Sequence, residues 1–329
     1  MRGRQVCWSD PKLQALTKKF VPVCDEVWRL HNLKEHDCLY FQGFCEEGHY
    51  GGPNRQTRQG IYVHTPSGKF LGSVNTTNPR HMQRMLEDAL ATWKATPKKD
   101  RYLDYDPATR RDEIRRREQQ FPADGLPLRV YTRDMPRKDL PDDWRKVAWN
   151  VDSLWYRKDE ARALLPERLA KGRTVDWPER LARRLIQHNL VDNVRGQTNG
   201  YRPEHVQVAR IRTEVVSVKK KLVTVRFEGE TRATTTGTWT KDGSIGSVAG
   251  RDTFSRGVQT RLAGEAVFDR GTGRFTRFEL AAVGTRWGRT RYNFRDGDVD
   301  ERAIAFAIIY DAEDPGRRVA PAEMGSYGW

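Results

Sequence analysis

The chain has 329 residues and a formal net charge of +15, with 59 Lys and Arg against 44 Asp and Glu. Its length indicates about two domains, and 10% aromatic residues are enough to build cores, which excludes wholesale disorder. No apolar run reaches the roughly 18–20 residues that span a bilayer, and four cysteines are too few for a disulfide scaffold. We therefore expect a soluble, basic, multidomain protein, cytoplasmic as written and exported if the gene starts further upstream.

The positive charge is spread evenly along the chain. Residues 1–100, 101–200 and 201–329 each carry a net charge of +5. A basic tail or block would indicate phosphate binding, whereas an even spread is typical of general surface composition. Basic and aromatic residues interleave in one short segment, which gives the candidates for nucleic-acid binding: Arg289, Arg291, Tyr292 and Arg295.

The first predicted element is a helix that begins after Asp10. Asp is a preferred N-cap residue and Pro11 suits the first helical position. Leu13 and Leu16 give the helix an apolar stripe. It leads into a short predicted strand at residues 20–23.

A hairpin and a second helix follow. Residues 60–64 and 69–74 read as strands on either side of a Thr-Pro-Ser-Gly turn, in which Pro and Gly favour chain reversal. Asn78 and Pro79 repeat the capping pattern, and apolar residues recur at helical spacing as far as Trp93. These patterns predict a strand–turn–strand–helix unit.

The rest of the chain divides by composition into three segments. Residues 96–125 are mostly charged and read as a linker with a solvated helix. Residues 126–200 place four Trp among short helical patterns, the best of which opens at residues 176–178. Residues 201–329 contain six to eight predicted strands and a Gly-rich hairpin turn at 270–273, which is typical of an antiparallel sheet, sandwich or barrel.

Metal-capable side chains are crowded into one stretch of the N-terminal segment. Thiolate and imidazole groups suit zinc or copper(I), although the spacings match no standard site. The candidate ligands are Cys24, His31, His36, Cys38, Cys45 and His49. The alternative is that these cysteines pack as small hydrophobic residues and the histidines lie on a polar surface. Cys7, just before the Asp10 cap, is a candidate reactive thiol because a helix N-terminus lowers thiol pKa.

The N-terminal segment resembles thioredoxin-like proteins. Residues 10–16 and 19–23 are similar to their helix-to-strand passage, residues 61–72 to their second hairpin, and residues 79–93 to their C-terminal helix. The resemblance covers residues 5–95 and implies a degenerate thioredoxin-like domain there. The family's Cys-x-x-Cys motif and cis-Pro are missing, so the resemblance implies no redox activity. The overall layout resembles uncharacterised bacterial proteins with a thioredoxin-like start and a β-rich end.

The combined expectation is an α+β protein in four parts. These are a thioredoxin-like α/β/α unit (1–95), a charged linker helix (96–125), a helical Trp-rich connection (126–200) and an antiparallel sheet or barrel-like domain (201–329). The leading hypothesis is a non-redox binding or scaffolding module, without catalysis or cofactor, for a protein or small-molecule ligand. One alternative is a thiol- or metal-dependent enzyme that uses Cys7 or the Cys24–His49 cluster. The other is nucleic-acid binding through a basic surface.

Overall fold

The computed structural model describes most of the chain. The described residues are 7–8, 10–25, 27–34, 36–51, 58–102, 120–196, 198–238, 253–290 and 293–329. They form two compact units, Val6–Glu113 and Ile114–Trp329. Within the described residues, no helix is long and apolar enough to cross a lipid bilayer.

The first unit contains four helices and a hairpin among its described residues. In chain order they are α1 (Pro11–Thr17), α2 (Val27–Asn32), α3 (His36–Cys45), β1 (Ile61–His64), β2 (Phe70–Val74) and α4 (Pro79–Ala95). The predicted start of α1 is confirmed, because the Asp10 carboxylate accepts a hydrogen bond from the Leu13 amide at 2.9 Å. Asn78 caps α4 in the same way, through the Arg80 amide.

The hairpin and α4 form the core of this unit. Strands β1 and β2 pair antiparallel, with Ile61 opposite Val74. Helix α4 packs on β2 and buries Met82, Leu86 and Ala89, which lie on one helical face. The predicted strand–turn–strand–helix unit is therefore present.

The short strand predicted at residues 20–23 is not formed. Residue 20 lies in a bend, residues 21–23 have no regular secondary structure, and none of them pairs with a described strand. The side chains of Val21 and Val23 are 89% and 75% exposed. A segment with high strand propensity forms a strand only where a neighbouring strand pairs with it through backbone hydrogen bonds. The thioredoxin-like identity of residues 5–95 stays a prediction.

The second unit is built on an eight-stranded antiparallel sheet. Its helices are α5 (Trp144–Val147), α6 (Lys158–Ala163) and α7 (Glu179–His188). Its strands are β3 (Leu126–Asp134), β4 (Trp149–Tyr156), β5 (Thr174–Asp176), β6 (Val206–Lys219), β7 (Leu222–Thr238), β8 (Thr253–Asp269), β9 (Arg274–Trp287) and β10 (Arg302–Ile309). The strand order is β4-β3-β10-β9-β8-β7-β6-β5, which leaves β4 and β5 as the edges of the described sheet.

One face of this sheet carries the hydrophobic core of the unit. In β9, Phe278, Leu280 and Ala282 are buried while the residues between them are exposed, as expected when side chains alternate across a pleated sheet. Helix α7 lies against β6 and β7 and buries Leu181 and Leu185. The helix, which the sequence predicts after residues 176–178, is confirmed.

The sequence predicts a helical segment over residues 126–200. This prediction is wrong for residues 126–134 and 149–156, which form the strands β3 and β4. Strands β3 and β4 belong to the same sheet as the C-terminal strands, and the described residues after 200 form five strands rather than six to eight. Nearly every residue of β4 is buried, and the alternation of apolar and polar residues at 149–152 ends at Ser153, so no period-2 signal extends along the strand. Most of the charged linker helix predicted at 96–125 falls on residues 103–119, outside the described part of the chain.

Candidate functional site

The predicted thiol candidate lies inside the first unit. Cys7 is fully buried, and its thiol donates to the backbone carbonyl of Thr76 over 3.7 Å. Cys38 and Cys45 are also buried, whereas Cys24 is exposed. Burial raises the pKa of the Cys45 thiol to about 11, an effect that the nearby Arg58 opposes only in part. At neutral pH Cys45 is therefore a thiol rather than a thiolate, and its hydrogen points to the carbonyl of Gln42.

The two histidines of the predicted metal cluster whose side chains are described have other partners. Nδ1 of His31 lies 2.8 Å from Nη1 of Arg58. His49 contacts the Ser73 hydroxyl through Nδ1 at 2.8 Å and the Gln59 carbonyl through Nε2 at 3.1 Å. His36 lies at the start of α3, and its side chain is outside the described part. Among the described residues, no group of three or more Cys, His, Asp or Glu is arranged to hold a metal ion. The metal site stays a prediction.

The described members of the nucleic-acid candidate segment lie inside the second unit. Arg295 is fully buried, and Arg289 is 5% exposed and forms an ion pair with Asp296 at 2.5 Å. Arg291 and Tyr292 are outside the described residues. A guanidinium that is buried against a carboxylate is not available to a phosphate in this conformation. Nucleic-acid binding also stays a prediction.

Arg295 belongs to a buried ionic cluster at one end of the sheet, which we call the arginine–aspartate cluster. Its members are Asp134, Asp192, Arg195, Arg286, Arg295 and Asp298. The core-facing positions of β3 and β9 are apolar along most of their length and end in Asp134 and Arg286. Asp192 and Arg195 follow α7, while Arg295 and Asp298 follow β9. The cluster therefore ties two loops to the end of the sheet.

The strongest contacts in the cluster are two-point pairs. Arg295 donates to both oxygens of Asp134, at 2.7 and 2.8 Å, and to both oxygens of Asp192, at 2.8 and 2.5 Å. Burial by itself would lower the pKa of Arg295, but the two carboxylates outweigh it and raise that pKa. Burial likewise opposes ionisation of Asp134, yet Arg295, Arg195 and Arg286 hold its pKa below the usual range. The pairing thus favours the charged forms of both Arg295 and Asp134.

A second constellation lies on the surface of the same unit. It is an open groove of about 650 Å³, which we call the cationic groove. Its lining includes Lys158, Asp159, Arg162, Leu169, Phe268 and Arg270. The volume falls within the range of about 300–1,000 Å³ that ligand clefts occupy. Three basic groups against one acidic group make the groove electropositive.

Local structure fixes the walls of the cationic groove. Lys158 and Arg162 are four residues apart on α6 and therefore project from the same side of the helix. Arg162 anchors the chain that leaves α6, because its Nη2 donates to the Glu167 carbonyl at 2.8 Å. Arg270 opens the β8–β9 turn, where its guanidinium contacts the Lys220 carbonyl. Gly273 closes this turn with φ +70°, a conformation that favours glycine.

The floor of the cationic groove is apolar. Phe268 is 4% exposed and packs edge to face against Phe275, with ring centroids 5.3 Å apart. Phe275 in turn contacts Phe278, so the floor is continuous with the core. Leu169 is half-buried beside it. An apolar floor between cationic walls suits a ligand that combines negative charge with a hydrophobic group.

The sequence analysis predicted neither the arginine–aspartate cluster nor the cationic groove, although it did predict some local elements that contribute residues to them. The predicted hairpin turn at 270–273 is confirmed, and it supplies Arg270 to the groove. Lys158 and Arg162 have the spacing of a helix face. However, α6 and this turn lie about a hundred residues apart, and only the strand order brings them together.

Comparisons with protein-family models, with curated proteins and with solved structures gave no match to this chain.

Proposed function

We propose that the chain is a binding or scaffolding protein that takes an acidic, partly hydrophobic segment of a partner protein in the cationic groove. The observation that carries this proposal is the convergence of Lys158, Arg162 and Arg270 around the apolar floor at Phe268. The proposal does not depend on the thioredoxin-like resemblance of residues 5–95.

The charges of the groove favour an acidic ligand. Lys158 takes part in no ion pair among the described residues, and Asp159 is the one acidic side chain in the described lining. By contrast, the buried arginines of the arginine–aspartate cluster are already neutralised by carboxylates. Unlike that cluster, the groove has basic side chains that remain accessible at Lys158 and Arg270, and charge complementarity of this kind steers association.

The floor favours a polypeptide over a nucleic acid. Single-stranded nucleic acids stack their bases on exposed aromatic faces. The Phe268 ring is 4% exposed and packs against Phe275, so it offers too little open face for a base. An aliphatic or aromatic side chain needs only an apolar surface. Because the groove is open rather than enclosed, it suits a segment of a larger partner better than a small molecule.

The enzyme alternative has less support. A reactive thiol needs a lowered pKa, whereas burial raises that of Cys45. His31 and His49 each direct a ring nitrogen to a neighbouring side chain rather than to a shared point. A thiol- or metal-dependent activity therefore remains the second hypothesis.

Binding of a defined probe tests the proposal. The probe is a short fluorescein-labelled peptide of alternating Glu and Leu, and fluorescence anisotropy measures its affinity for the full chain. The double variant Lys158→Glu/Arg270→Glu should weaken binding at least about tenfold, the equivalent of about 1.4 kcal/mol. The matched control is Lys146→Glu/Arg133→Glu, which changes the net charge equally at exposed positions outside the groove lining.

Three outcomes would contradict the proposal. The first is equal loss of affinity in the groove variant and in the control variant, which would indicate a general charge effect. The second is tight binding of a matched peptide with Lys in place of Glu. The third is tighter, salt-sensitive binding of an oligothymidine than of the peptide, which would favour the nucleic-acid hypothesis.

A further inference from the structure

More guanidinium groups surround Oδ2 of Asp298 than one carboxylate oxygen can accept hydrogen bonds from. Its Oδ2 lies 2.7 Å from Nη2 of Arg137, 2.8 Å from Nη1 of Arg195 and 2.7 Å from Nη2 of Arg286. Nη1 of Arg295 is a fourth neighbour, at 3.3 Å. An ionised carboxylate has about two lone-pair sites on each oxygen. Four guanidinium groups converging on one oxygen therefore exceed its capacity.

The cluster also has an excess of hydrogen-bond donors. Four arginines, counting Arg137, face the carboxylates of Asp134, Asp192 and Asp298, and Arg137 also lies 3.5 Å from Asp139. The buried Nε atoms of Arg195 and Arg286 have no hydrogen-bond acceptor among the described residues. Burying an unpaired N–H is unfavourable, and more so when the group is charged. The arginines therefore carry more donors than the carboxylates around them accept.

Asp298 lies on a loop rather than on a strand, and its side chain extends from that loop to the four arginines. The loop joins β9 to β10 and contains Gly297, with φ +69°, beside Asp298. The Asp298 side chain is 11% exposed, and that of Arg137 is 18% exposed, so the group of arginines is reached from solvent on this side. The three partners of Asp298 deeper in the protein are at most 1% exposed.

We propose that Arg137, Arg195, Arg286 and Arg295 form an oxyanion-binding site, which Asp298 fills with its own carboxylate in this conformation. The ligand class is a tetrahedral oxyanion, either the free phosphate ion or a phosphoryl group. Guanidinium groups recognise such oxygens through paired N–H donors, and a phosphate offers more acceptor oxygens than the Asp298 side chain. This site is separate from the cationic groove and does not rest on the proposed function.

Chemical rescue of Asp298→Ala tests the proposal. Thermal unfolding of the full chain is followed in sodium phosphate and in sodium chloride of equal ionic strength. The substitution should lower Tm in chloride, and saturating phosphate should then raise Tm by about 5 °C over chloride, with a saturable dependence on concentration. The double variant Asp298→Ala/Arg195→Met should lose this selective gain.

Asp296→Ala is the matched control, because Asp296 lies on the same loop but pairs with Arg289. Any general stabilisation by phosphate should be equal in this variant and in the wild type. An equal response in Asp298→Ala would overturn the proposal. If Asp298→Ala does not fold in chloride, refolding in phosphate supports the proposal, and failure to fold in both salts contradicts it. A phosphotyrosine solution in place of phosphate distinguishes a phosphoryl group from the free ion.

Discussion

Arg184 and Glu160 form a two-point ion pair, with Nη1 2.8 Å from Oε2 and Nη2 2.7 Å from Oε1. Their side chains are only 4% and 3% exposed. The pair joins α7 to α6, and the Tyr327 ring covers the guanidinium at 4.3 Å. It therefore links two helices to the C-terminal segment within the second unit.

We expect Glu160→Gln to destabilise the second unit by about 3–5 kcal/mol, because it leaves the buried Arg184 without a carboxylate. Urea unfolding measures the change in free energy of unfolding. Glu179→Gln is the control: Glu179 pairs with Arg183 on the exposed side of α7 and is 72% exposed. Its loss should cost less than about 0.5 kcal/mol. Equal effects of the two substitutions would contradict a structural role for the buried pair.

The same residue predicts a pH dependence. Burial opposes ionisation of Glu160, but hydrogen bonds from Arg184 and from the Arg157 amide outweigh it and lower its pKa to about 2. Because the folded pKa lies below the unfolded value of 4.5, the ionised carboxylate stabilises the fold above pH 4.5. This contribution, on the order of 3 kcal/mol, disappears as the pH falls from 4.5 to about 2. Urea midpoints across that range should fall less steeply for Glu160→Gln than for wild type, and parallel slopes would disprove the assignment.

Local sequence signals predicted the two helix starts and the hairpin turn, because the contacts that determine them lie within a few residues of each other. The caps at Asp10 and Asn78 fix the starts of α1 and α4 because each acts within three residues. The turn at 270–273 is predicted for the same reason, since glycine at its last position allows the positive φ that the hairpin needs.

The arginine–aspartate cluster and the cationic groove could not be predicted in this way, since the residues that form each of them are distant in sequence. Arg295 and Asp134 are 161 residues apart and meet only because β10 lies between β3 and β9. As a sequence, the Arg295 segment reads as a basic, aromatic surface. The sheet topology buries Arg295, and the buried guanidinium neutralises the carboxylates of Asp134 and Asp192.

Arg295 itself gives a direct test of that internal role. We expect Arg295→Met to lower the free energy of unfolding by at least about 3 kcal/mol, because Asp134 and Asp192 would stay buried without their shared partner. Arg295→Lys keeps the charge but lacks the planar fork for two paired contacts, so we expect an intermediate loss. Urea unfolding ranks the three proteins. A loss below about 0.5 kcal/mol for Arg295→Met would be typical of a surface residue and would contradict the assignment.

Cys45 provides a test of the thiol hypothesis in the first unit. Its pKa of about 11 follows mainly from burial, so in the native protein at pH 8 almost all of it is the unreactive thiol. We expect iodoacetamide to leave Cys45 unmodified under native conditions and to alkylate it readily in urea, as followed by peptide mass spectrometry. Raising the pH from 8 to 9 should increase the slow native rate about tenfold, because the thiolate fraction rises about tenfold while most of the group stays protonated. A native rate close to the rate in urea would mean that Cys45 is an accessible thiolate, and it would favour the enzyme hypothesis over the binding hypothesis.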